Sequence, residues 1–280
     1  MLDIIHAGYQ DFTASQKRIA EYLTRHLEEA FVLNATELAH RVGVSEATVT
    51  RFIARLGFSG FSEFKRTMGR SVLRGLSTTV KLEESAETLT PSKSVLSEIL
   101  RGDIENIRSI AAEISDARFS EAVGKLSAAK SIYVLGLRTS HSLALYLSFN
   151  LRFFLRSVNL LKPGIGDMPE QVLDSRPGDV LIAISFKRYT REVLDIAEKV
   201  KKKGLYLIAI TNSPLSPLGQ LADMALVVKT EIPAYIESFT APMSLLNALI
   251  TAIALKKKKA AVPALNRLEK EFEEYRTYLK

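Results

Sequence analysis

The sequence predicts an α/β protein that begins with an all-α domain. Residues 1–76 carry apolar residues at helical spacing, separated by helix-cap signals. From Ser131 onward the sequence changes to short, continuous apolar runs that alternate with helical segments. Such runs are typical of a parallel sheet that helices cover on both faces. We therefore expect a helical bundle followed by a five-stranded parallel αβα sandwich, and the 280 residues are long enough for both.

Capping and turn residues divide the first 76 residues into short helices. Thr13 with Gln16, and Asn34 with Glu37, form the pattern of a capping box, in which side chains and backbone amides at a helix start bond reciprocally. Gly43 ends the second of these helices. A further helix fits residues 61–76. The first domain is therefore expected to hold short helices joined by tight turns.

The stretch after Gly43 has the pattern of the second helix of a helix-turn-helix. Ser45 can cap it, and its inward face carries apolar residues at i, i+3, i+4 and i+7, namely Val49, Phe52, Ile53 and Leu56. Its outward face presents hydroxyls and arginines near the N-terminal half, where such helices contact the DNA groove. A plain bundle with solvated charges is the alternative. The turn spacing together with the arginines favours DNA binding.

Several side chains of this region are suited to contact an operator. Arginine can donate two hydrogen bonds to guanine or contact a phosphate, and threonine can hydrogen-bond to either. Basic residues on the next helix can neutralise backbone phosphates. The net charge of +7 also favours an anionic partner. The candidate DNA-binding residues are Ser45, Thr48, Thr50, Arg51, Arg55, Lys65 and Arg66. The expected partner is a double-stranded DNA operator.

Residues 77–92 have the composition of a linker. They are rich in serine, threonine and glutamate, lack a sustained apolar period and close with Pro91. A long amphipathic helix is predicted next, from Val95 to Ile114. We therefore assign residues 1–76 to the DNA-binding domain, 77–92 to the linker and 93–280 to the second domain.

Five apolar runs predict the strands of the second domain. They occupy residues 131–137, 158–162, 179–186, 205–211 and 224–230. Helical segments lie between most of them, including one at 190–204. The tail from Ile236 is predicted to be helical, with Glu237 opening its first helix and a charged last helix after Pro263.

Two strand ends carry groups that suit an anion. An open parallel sheet binds ligands outside the carboxyl ends of its strands. After the first strand Gly136 turns the chain, and Thr139 and Ser140 open the next helix. After the third strand Ser185 is followed by a basic loop and by Thr190 at a helix start. Because helix N-termini offer free amides and a positive dipole end, these residues indicate an anion site.

A pattern of Ser-x-x-Thr-x-x-Arg-Phe runs from Ser45 to Phe52, and Leu56-Gly57, Gly60-Phe61 and Glu-Phe-Lys at 63–65 follow it. This pattern resembles the N-terminal domain of the RpiR family of bacterial transcriptional regulators. Such regulators join it to a C-terminal sugar isomerase (SIS) domain that binds phosphosugars, and residues 120–255 are similar to it in layout. The resemblance implies a SIS-type, flavodoxin-like sandwich for effector binding and oligomerisation, with a sugar phosphate or similar anion as effector.

The two strand ends depart from the SIS pattern in one direction. SIS domains tend to show Gly-x-Gly-x-Ser at the first strand end and Ser-x-Ser-Gly-x-Thr at the second. This chain keeps four of the matching positions, Gly136, Ser140, Ser185 and Thr190. It carries cations where the pattern has small, neutral residues, at Arg138, Lys187 and Arg188.

Two interpretations of these cations remain open. They can grip a more anionic ligand, such as a bisphosphate or a phosphorylated sugar acid, through bidentate arginine contacts. Alternatively, they fill the old pocket and are solvated or paired with acids such as Glu192. Because all three replacements add positive charge, the first interpretation is favoured. The candidate effector-binding residues are Arg138, Thr139, Ser140, Ser185, Lys187, Arg188, Thr190 and Glu237, the last of which can also be a simple helix-dipole partner.

We interpret the chain as a sensor-regulator and not as an enzyme. An aldose–ketose isomerase needs a base and an acid, and nothing in the sequence links the available His141 and Glu237. A third possibility is an architectural DNA-binding protein with an inert SIS dimerisation domain. We expect a homodimer or homotetramer that places two reading helices on a repeated operator.

Composition excludes several other classes of protein. The chain has no cysteine, which rules out disulfides and thiolate metal sites and fits a reducing, cytoplasmic location. The N-terminus lacks the apolar core of a signal peptide, and the apolar stretches fall short of the roughly 18 residues of a membrane span. We therefore expect no metal, no cofactor and no membrane partner.

Overall fold

The structure is a computed structural model that describes residues 4–5, 8–76, 78–89, 94–164 and 167–279. These residues form two compact units. The first holds the chain up to Glu98 with two short segments, 213–217 and 233–236. The second holds the rest, including the sheet.

The first unit is a bundle of short helices. They are α1 (Ala14–Arg25), α2 (Leu27–Val32), α3 (Ala35–Val42), α4 (Glu46–Arg55), α5 (Phe61–Leu76) and α6 (Thr78–Thr88). Both predicted capping boxes are present, with Asn34 Oδ1 accepting a hydrogen bond from the Glu37 amide at 2.9 Å. The apolar faces of the helices enclose a core that includes Ile19, Leu23, Leu38, Val49, Phe52 and Phe64.

Helix α6 lies where the sequence predicts a linker. Two of its hydroxyl side chains donate hydrogen bonds to backbone carbonyls one turn earlier: Ser85 Oγ to the Lys81 carbonyl at 2.6 Å, and Thr88 Oγ1 to the Glu84 carbonyl at 2.8 Å. The pattern gave no sign of this helix because it lacks a wide apolar stripe. Ser77 and residues 90–93 lie outside the described residues, and the domain boundaries drawn from the sequence stay a prediction.

The second unit is a five-stranded parallel sheet between helices. Its strands are β1 (Ile132–Gly136), β2 (Val158–Leu160), β3 (Val180–Ile184), β4 (Tyr206–Thr211) and β5 (Met224–Val227), in the order β2-β1-β3-β4-β5. The helices, from α7 onward, are Val95–Glu113 (α7), Asp116–Ala128 (α8), His141–Leu151 (α9), Arg191–Lys202 (α10), Pro217–Leu221 (α11), Thr240–Lys256 (α12) and Lys258–Glu274 (α13). All five predicted strands and the flavodoxin-like αβα class are confirmed.

Alternate strand residues face opposite layers of helices. Val134 and Ile182 pack with α8, α9 and α12 on one face, whereas Leu135 and Leu181 pack with α10 on the other. Every residue of β1 and β3 is buried because both faces of the sheet are covered. This explains the continuous apolar runs by which the strands were predicted.

The C-terminal tail differs from the prediction at two points. Its first helix begins at Thr240, so Glu237 lies in the preceding loop and does not open a helix. The Thr240 amide donates a hydrogen bond to Ser238 Oγ at 3.3 Å, which favours the start of the helix at this point. The last helix begins at Lys258 and runs through Pro263, at the loss of one backbone hydrogen bond.

The strand order makes the ends of β1 and β3 the position at which open parallel sheets have a ligand-binding crevice. The chain leaves β1 toward β2 on one side, whereas β3 lies on the other, which makes this the topological switch point where such sheets bind ligands. Gly136 at the end of β1 is in register with Ile184 at the end of β3. In the part of the chain that is described, no helix has the length and apolarity required to cross a membrane.

Gly136 is required by the close approach of the next turn. A Cβ atom there would lie 2.5 Å from the Ser140 carbonyl oxygen. We expect Gly136→Ala to lower the free energy of unfolding by about 1–3 kcal/mol, measured by urea denaturation, because the backbone has to move. Gly124→Ala, inside α8, is the matched control, since the added Cβ would make only a 3.6 Å contact with Lys256 Nζ. Equal losses in the two variants would contradict the argument.

Candidate functional site

Helices α3 and α4 form the predicted helix-turn-helix. Gly43 ends α3 with a left-handed φ of 71°, and α4 begins three residues later. Val49, Phe52 and Ile53 of α4 are buried. The residues between them face solvent, including Thr50 and Arg51. The helix therefore presents a polar face that is accessible to DNA.

The N-terminal turn of α4 is ordered by its own side chains. Ser45 Oγ accepts a hydrogen bond from the Thr48 amide at 3.2 Å and lies 2.8 Å from Thr48 Oγ1. Arg51 Nη2 donates to Thr48 Oγ1 at 3.3 Å. Thr50 Oγ1 donates to the Glu46 carbonyl at 3.1 Å. These bonds position the Arg51 guanidinium beside the start of the helix, where groove contacts are made.

Two of the candidate DNA contacts have structural partners within the bundle. The Arg55 guanidinium donates to Gln16 Oε1 at 3.0 Å and to the Asp11 carbonyl at 2.9 Å. Lys65 Nζ donates to the Leu33 carbonyl at 3.1 Å, near the end of α2. Both side chains therefore stabilise helix packing, whereas Arg66 is exposed on α5.

The loop after β1 forms one wall of the crevice. Residues Arg138–Ser140 make a short 3₁₀ turn that leads into α9. Ser140 is buried, whereas Arg138 and Thr139 are exposed. His141 Nδ1 lies 3.0 Å from the Gly136 carbonyl and holds the turn closed. The turn therefore buries Ser140 and leaves Arg138 exposed to solvent.

The loop after β3 forms the opposite wall. Ser185 is buried, and its amide donates to the Ile210 carbonyl of β4 at 3.1 Å. Arg188 is exposed and has a left-handed φ of 66°. Thr190 precedes α10, and its hydroxyl makes no capping hydrogen bond to the described helix. The loop brings the predicted residues to the same edge of the sheet as Ser140. We call this edge, where the residues that follow β1, β3, β4 and β5 lie, the ligand edge.

Lys187 forms an ion pair at this edge. Its Nζ lies 2.6 Å from Glu231 Oε1, and both side chains are partly exposed. Glu231 follows β5 in the chain, whereas Glu192, the acid suggested from the sequence, lies in the first turn of α10. Glu237 is close by in sequence and accepts a hydrogen bond from Thr230 Oγ1 at 2.6 Å. The structure thus supports charge pairing for Lys187.

A tyrosine and an asparagine lie behind the basic loop. The Tyr189 hydroxyl donates to Asn212 Oδ1 at 3.0 Å. Burial raises the pKa of Tyr189 to about 12, and the Lys187 charge opposes that rise. The hydroxyl is therefore neutral at physiological pH. Asn212 Nδ2 is buried and has no hydrogen-bond partner among the described residues.

Family matches divide the chain where its architecture changes. Residues 1–73 match the helix-turn-helix domain of the rpiR family, and residues 125–252 match the SIS domain. The chain belongs to the RpiR family. It is a helix-turn-helix transcriptional regulator with a C-terminal SIS domain, as the resemblance of its sequence implied.

Two HTH-type transcriptional regulators are similar to this chain over much of their length. The HTH-type transcriptional regulator HexR of Pseudomonas aeruginosa is 25% identical over 280 residues, which covers 96% of this chain and 94% of HexR. An uncharacterised HTH-type transcriptional regulator of Clostridium perfringens is 28% identical over 222 residues, 76% of each chain. Both relatives are named as regulators and not as enzymes.

Solved structures support the fold of this RpiR-family chain. The sugar isomerase domain of an RpiR transcription factor from Sphaerobacter thermophilus matches with a TM-score of 0.61 at 23% identity, over 64% of this chain and 99% of that one. Vibrio vulnificus NanR, solved in complex with ManNAc-6P, matches with a TM-score of 0.55 at 19% identity, over 95% of this chain and 97% of that one.

Sequence reasoning missed the acidic and amide groups of the ligand edge. Glu231 follows the fifth predicted strand, and Asn212 follows the fourth, so both satisfy the strand-end criterion that identified Ser185. They were missed because neither stands in the family pattern. Asn106 of α7 is a further case, since it is buried and donates to the Glu231 carbonyl at 2.9 Å.

Removing the Glu231 carboxylate should strengthen anion binding at the ligand edge. In Glu231→Gln, Lys187 loses its counter-ion, so we expect the affinity for inorganic phosphate to rise by up to about fivefold, equivalent to roughly 1 kcal/mol. Isothermal titration calorimetry measures the change. Glu105→Gln, which removes the partner of Arg101 on α7, is the control for net charge. The same rise in both variants would point to a long-range charge effect instead.

Proposed function

We propose that this regulator binds operator DNA through α4 and senses a phosphorylated sugar at the crevice between β1 and β3. The observation that carries the proposal is the joining, in one chain, of an exposed reading helix with pre-positioned Arg51 and a SIS sheet whose switch point is lined by buried serines and cations. A sheet edge of this kind suits a phosphate, and a reading helix suits a gene regulator.

Arg51 is the side chain that we expect to contribute most to operator binding. Arg51→Ala removes a guanidinium from an exposed position without breaking a buried contact. The expected result is a loss of operator affinity of at least about tenfold with an unchanged melting temperature, measured by fluorescence anisotropy and thermal unfolding. Arg55→Ala should also lower the melting temperature, because it loses its bonds to α1 and to the Asp11 carbonyl.

Arg118→Ala is the matched control for this experiment. It removes one exposed arginine from α8 of the SIS domain. We expect its operator affinity to stay close to that of the wild type at matched salt, because Arg118 lies outside α4. The change in net charge is the same in both variants, so a non-specific charge effect would appear in both. An equal loss of affinity in Arg51→Ala and Arg118→Ala would contradict the assignment of α4 as the reading helix.

The ligand class is supported by the chemistry of the crevice. Ser140 and Ser185 are buried at its two walls, Ser140 directly before α9 and Ser185 in the loop that leads to α10. Backbone amides and hydroxyls at such positions can donate hydrogen bonds to a phosphate. Vibrio vulnificus NanR, which has the same fold, was solved with a phosphorylated sugar. We therefore propose Thr139, Ser140, Ser185 and Thr190 as the phosphate-binding residues of this chain.

The two residues nominated for isomerase chemistry support a sensor more than an enzyme. His141 is engaged with the Gly136 carbonyl, and Glu237 accepts a hydrogen bond from Thr230. Each contact holds the fold of a loop, and neither links the pair into an acid–base couple. We propose that the chain acts without turnover, in the cytoplasm where operator DNA is available.

Ligand occupancy can be transmitted to α7 through the segment after β5. Asn106 of α7 is bonded to the backbone of Glu231, whose side chain holds Lys187 of the ligand loop. Asp103 of α7 accepts hydrogen bonds from Ser238 Oγ and, at 2.9 Å, from Thr240 Oγ1. A ligand that moves the basic loop therefore acts on the helix that begins the second domain.

Self-association is proposed on the same helix. Leu100, Ile104 and Ile107 lie along one side of α7 and are each more than a third exposed. Their spacing of four and three residues is that of a helix–helix seam. We propose that a second copy of this chain covers the seam, which would make a homodimer, or a homotetramer, able to contact two half-sites.

A titration with phosphosugars tests sensing, turnover and coupling together. We expect a ligand that raises the melting temperature to change operator affinity by about 5–150-fold, the usual range of allosteric coupling, and to remain chemically unchanged. In Asn106→Leu the coupling should shrink while the separate affinities persist, and Ser109→Ala on the same helix should behave as the wild type. Turnover of the ligand would establish an enzyme, and unchanged operator affinity with every stabilising ligand would contradict the sensor.

A further inference from the structure

Three non-glycine residues in the described part of the chain have a left-handed backbone, and all three are arginines. Their φ angles are 53° at Arg138, 66° at Arg188 and 50° at Arg276. A Cβ atom makes this conformation unfavourable for L-residues, and arginine has no short polar group that would compensate locally. Such outliers concentrate at ligand-binding sites, where a side chain is needed despite its backbone.

Two of the three arginines stand on opposite walls of the same crevice. Arg138 comes two residues after Gly136 of β1, and Arg188 comes four residues after Ile184 of β3. Gly136 and Ile184 are in register on neighbouring strands. The two strained positions therefore flank the switch point of the sheet, which is where a ligand of this fold lies. Arg276 follows α13 near the C-terminus.

The backbone conformation of these two loops does not require arginine, so a role of the guanidinium groups is the better reason for their presence. Glycine would adopt the same φ angles without steric cost, and the chain uses glycine at Gly43, Gly57, Gly178 and Gly204, where φ is also positive. At Arg138 and Arg188 the chain instead carries a guanidinium that is exposed at the ligand edge. Lys187 of the loop after β3 forms an ion pair with Glu231.

We propose that Arg138 and Arg188 are specificity-determining residues that select a sugar phosphate with a second anionic group. Each guanidinium can fork to a phosphate or a carboxylate, and the two stand on separate walls of the crevice. A ligand with a single phosphate satisfies one of them, whereas a phosphorylated sugar acid or a bisphosphorylated sugar satisfies both. This inference rests on the proposed function, since it concerns the same crevice.

The second anionic group can be a carboxylate or a phosphate, and three probes distinguish the cases. Glucose 6-phosphate carries one phosphate, 6-phosphogluconate adds a carboxylate, and fructose 1,6-bisphosphate adds a phosphate. We expect the full-length wild type to bind at least one of the two doubly anionic probes at least about tenfold more tightly than glucose 6-phosphate, measured by calorimetry. Whichever probe binds more tightly identifies the second group.

Substitution of each arginine in two ways separates charge from backbone strain. Arg138→Gly and Arg188→Gly remove both, whereas Arg138→Gln and Arg188→Gln remove the charge and keep the strain. All four variants should lose most of the preference for the doubly anionic probe. Only the glycine variants should raise the melting temperature of the ligand-free protein, by roughly 2–4 °C at most. Arg276→Gly, which relieves strain away from the ligand edge, should raise the melting temperature and leave the preference intact.

The outcomes distinguish this inference from the function on which it rests. If none of the three probes binds, the proposed phosphosugar sensing and the inference fail together. If glucose 6-phosphate binds as tightly as the other two probes, or if the arginine variants keep the preference, only the inference fails. A preference that disappears in all four variants at the ligand edge and persists in Arg276→Gly supports it.

Discussion

The parallel pairing of β1 with β3 is the constraint on which the ligand edge of this regulator depends. Both strands are buried along their whole length, so their apolar side chains fix the register of Gly136 with Ile184. The register brings two loops from distant parts of the sequence to one crevice. Gly136 then allows the Ser140 carbonyl to approach the backbone closely, which keeps that serine inside. Burial of aliphatic surface thus determines where the polar groups meet.

The segment after β5 gives the ligand edge its electrostatic balance and its connection to α7. Glu231 pairs with Lys187 through its side chain and accepts a hydrogen bond from Asn106 through its backbone. A charge at the crevice is therefore compensated by a residue that is attached to the helix leading into the domain. In the proposed mechanism, binding and transmission would use the same few residues, and no long pathway through the sheet would be required.

Local signals predicted the elements well because local physics fixes them. The capping boxes at Thr13 and Asn34 and the buried strand runs are confirmed, since each depends on neighbours in the sequence. The Lys187–Glu231 pair depends on β3 and β5 lying in one sheet and could not be read from spacing. Glu237 lies before the helix that the sequence predicts it to open, because Ser238 Oγ accepts a hydrogen bond from the Thr240 amide and favours a later start. The roles of the individual site residues stay predictions.

The left-handed arginines also bear on how this regulator can diverge. A single-nucleotide change converts an arginine codon into a glycine codon, and glycine suits the backbone at Arg138 and Arg188 better than arginine does. Most changes of ligand preference lower the stability of a protein and require compensation elsewhere. Here a change from arginine to glycine, which would favour a less charged ligand, is expected to raise the stability of the folded protein. The proposed preference for a doubly anionic ligand would therefore persist only under selection, and substitution at these two positions requires no change of fold.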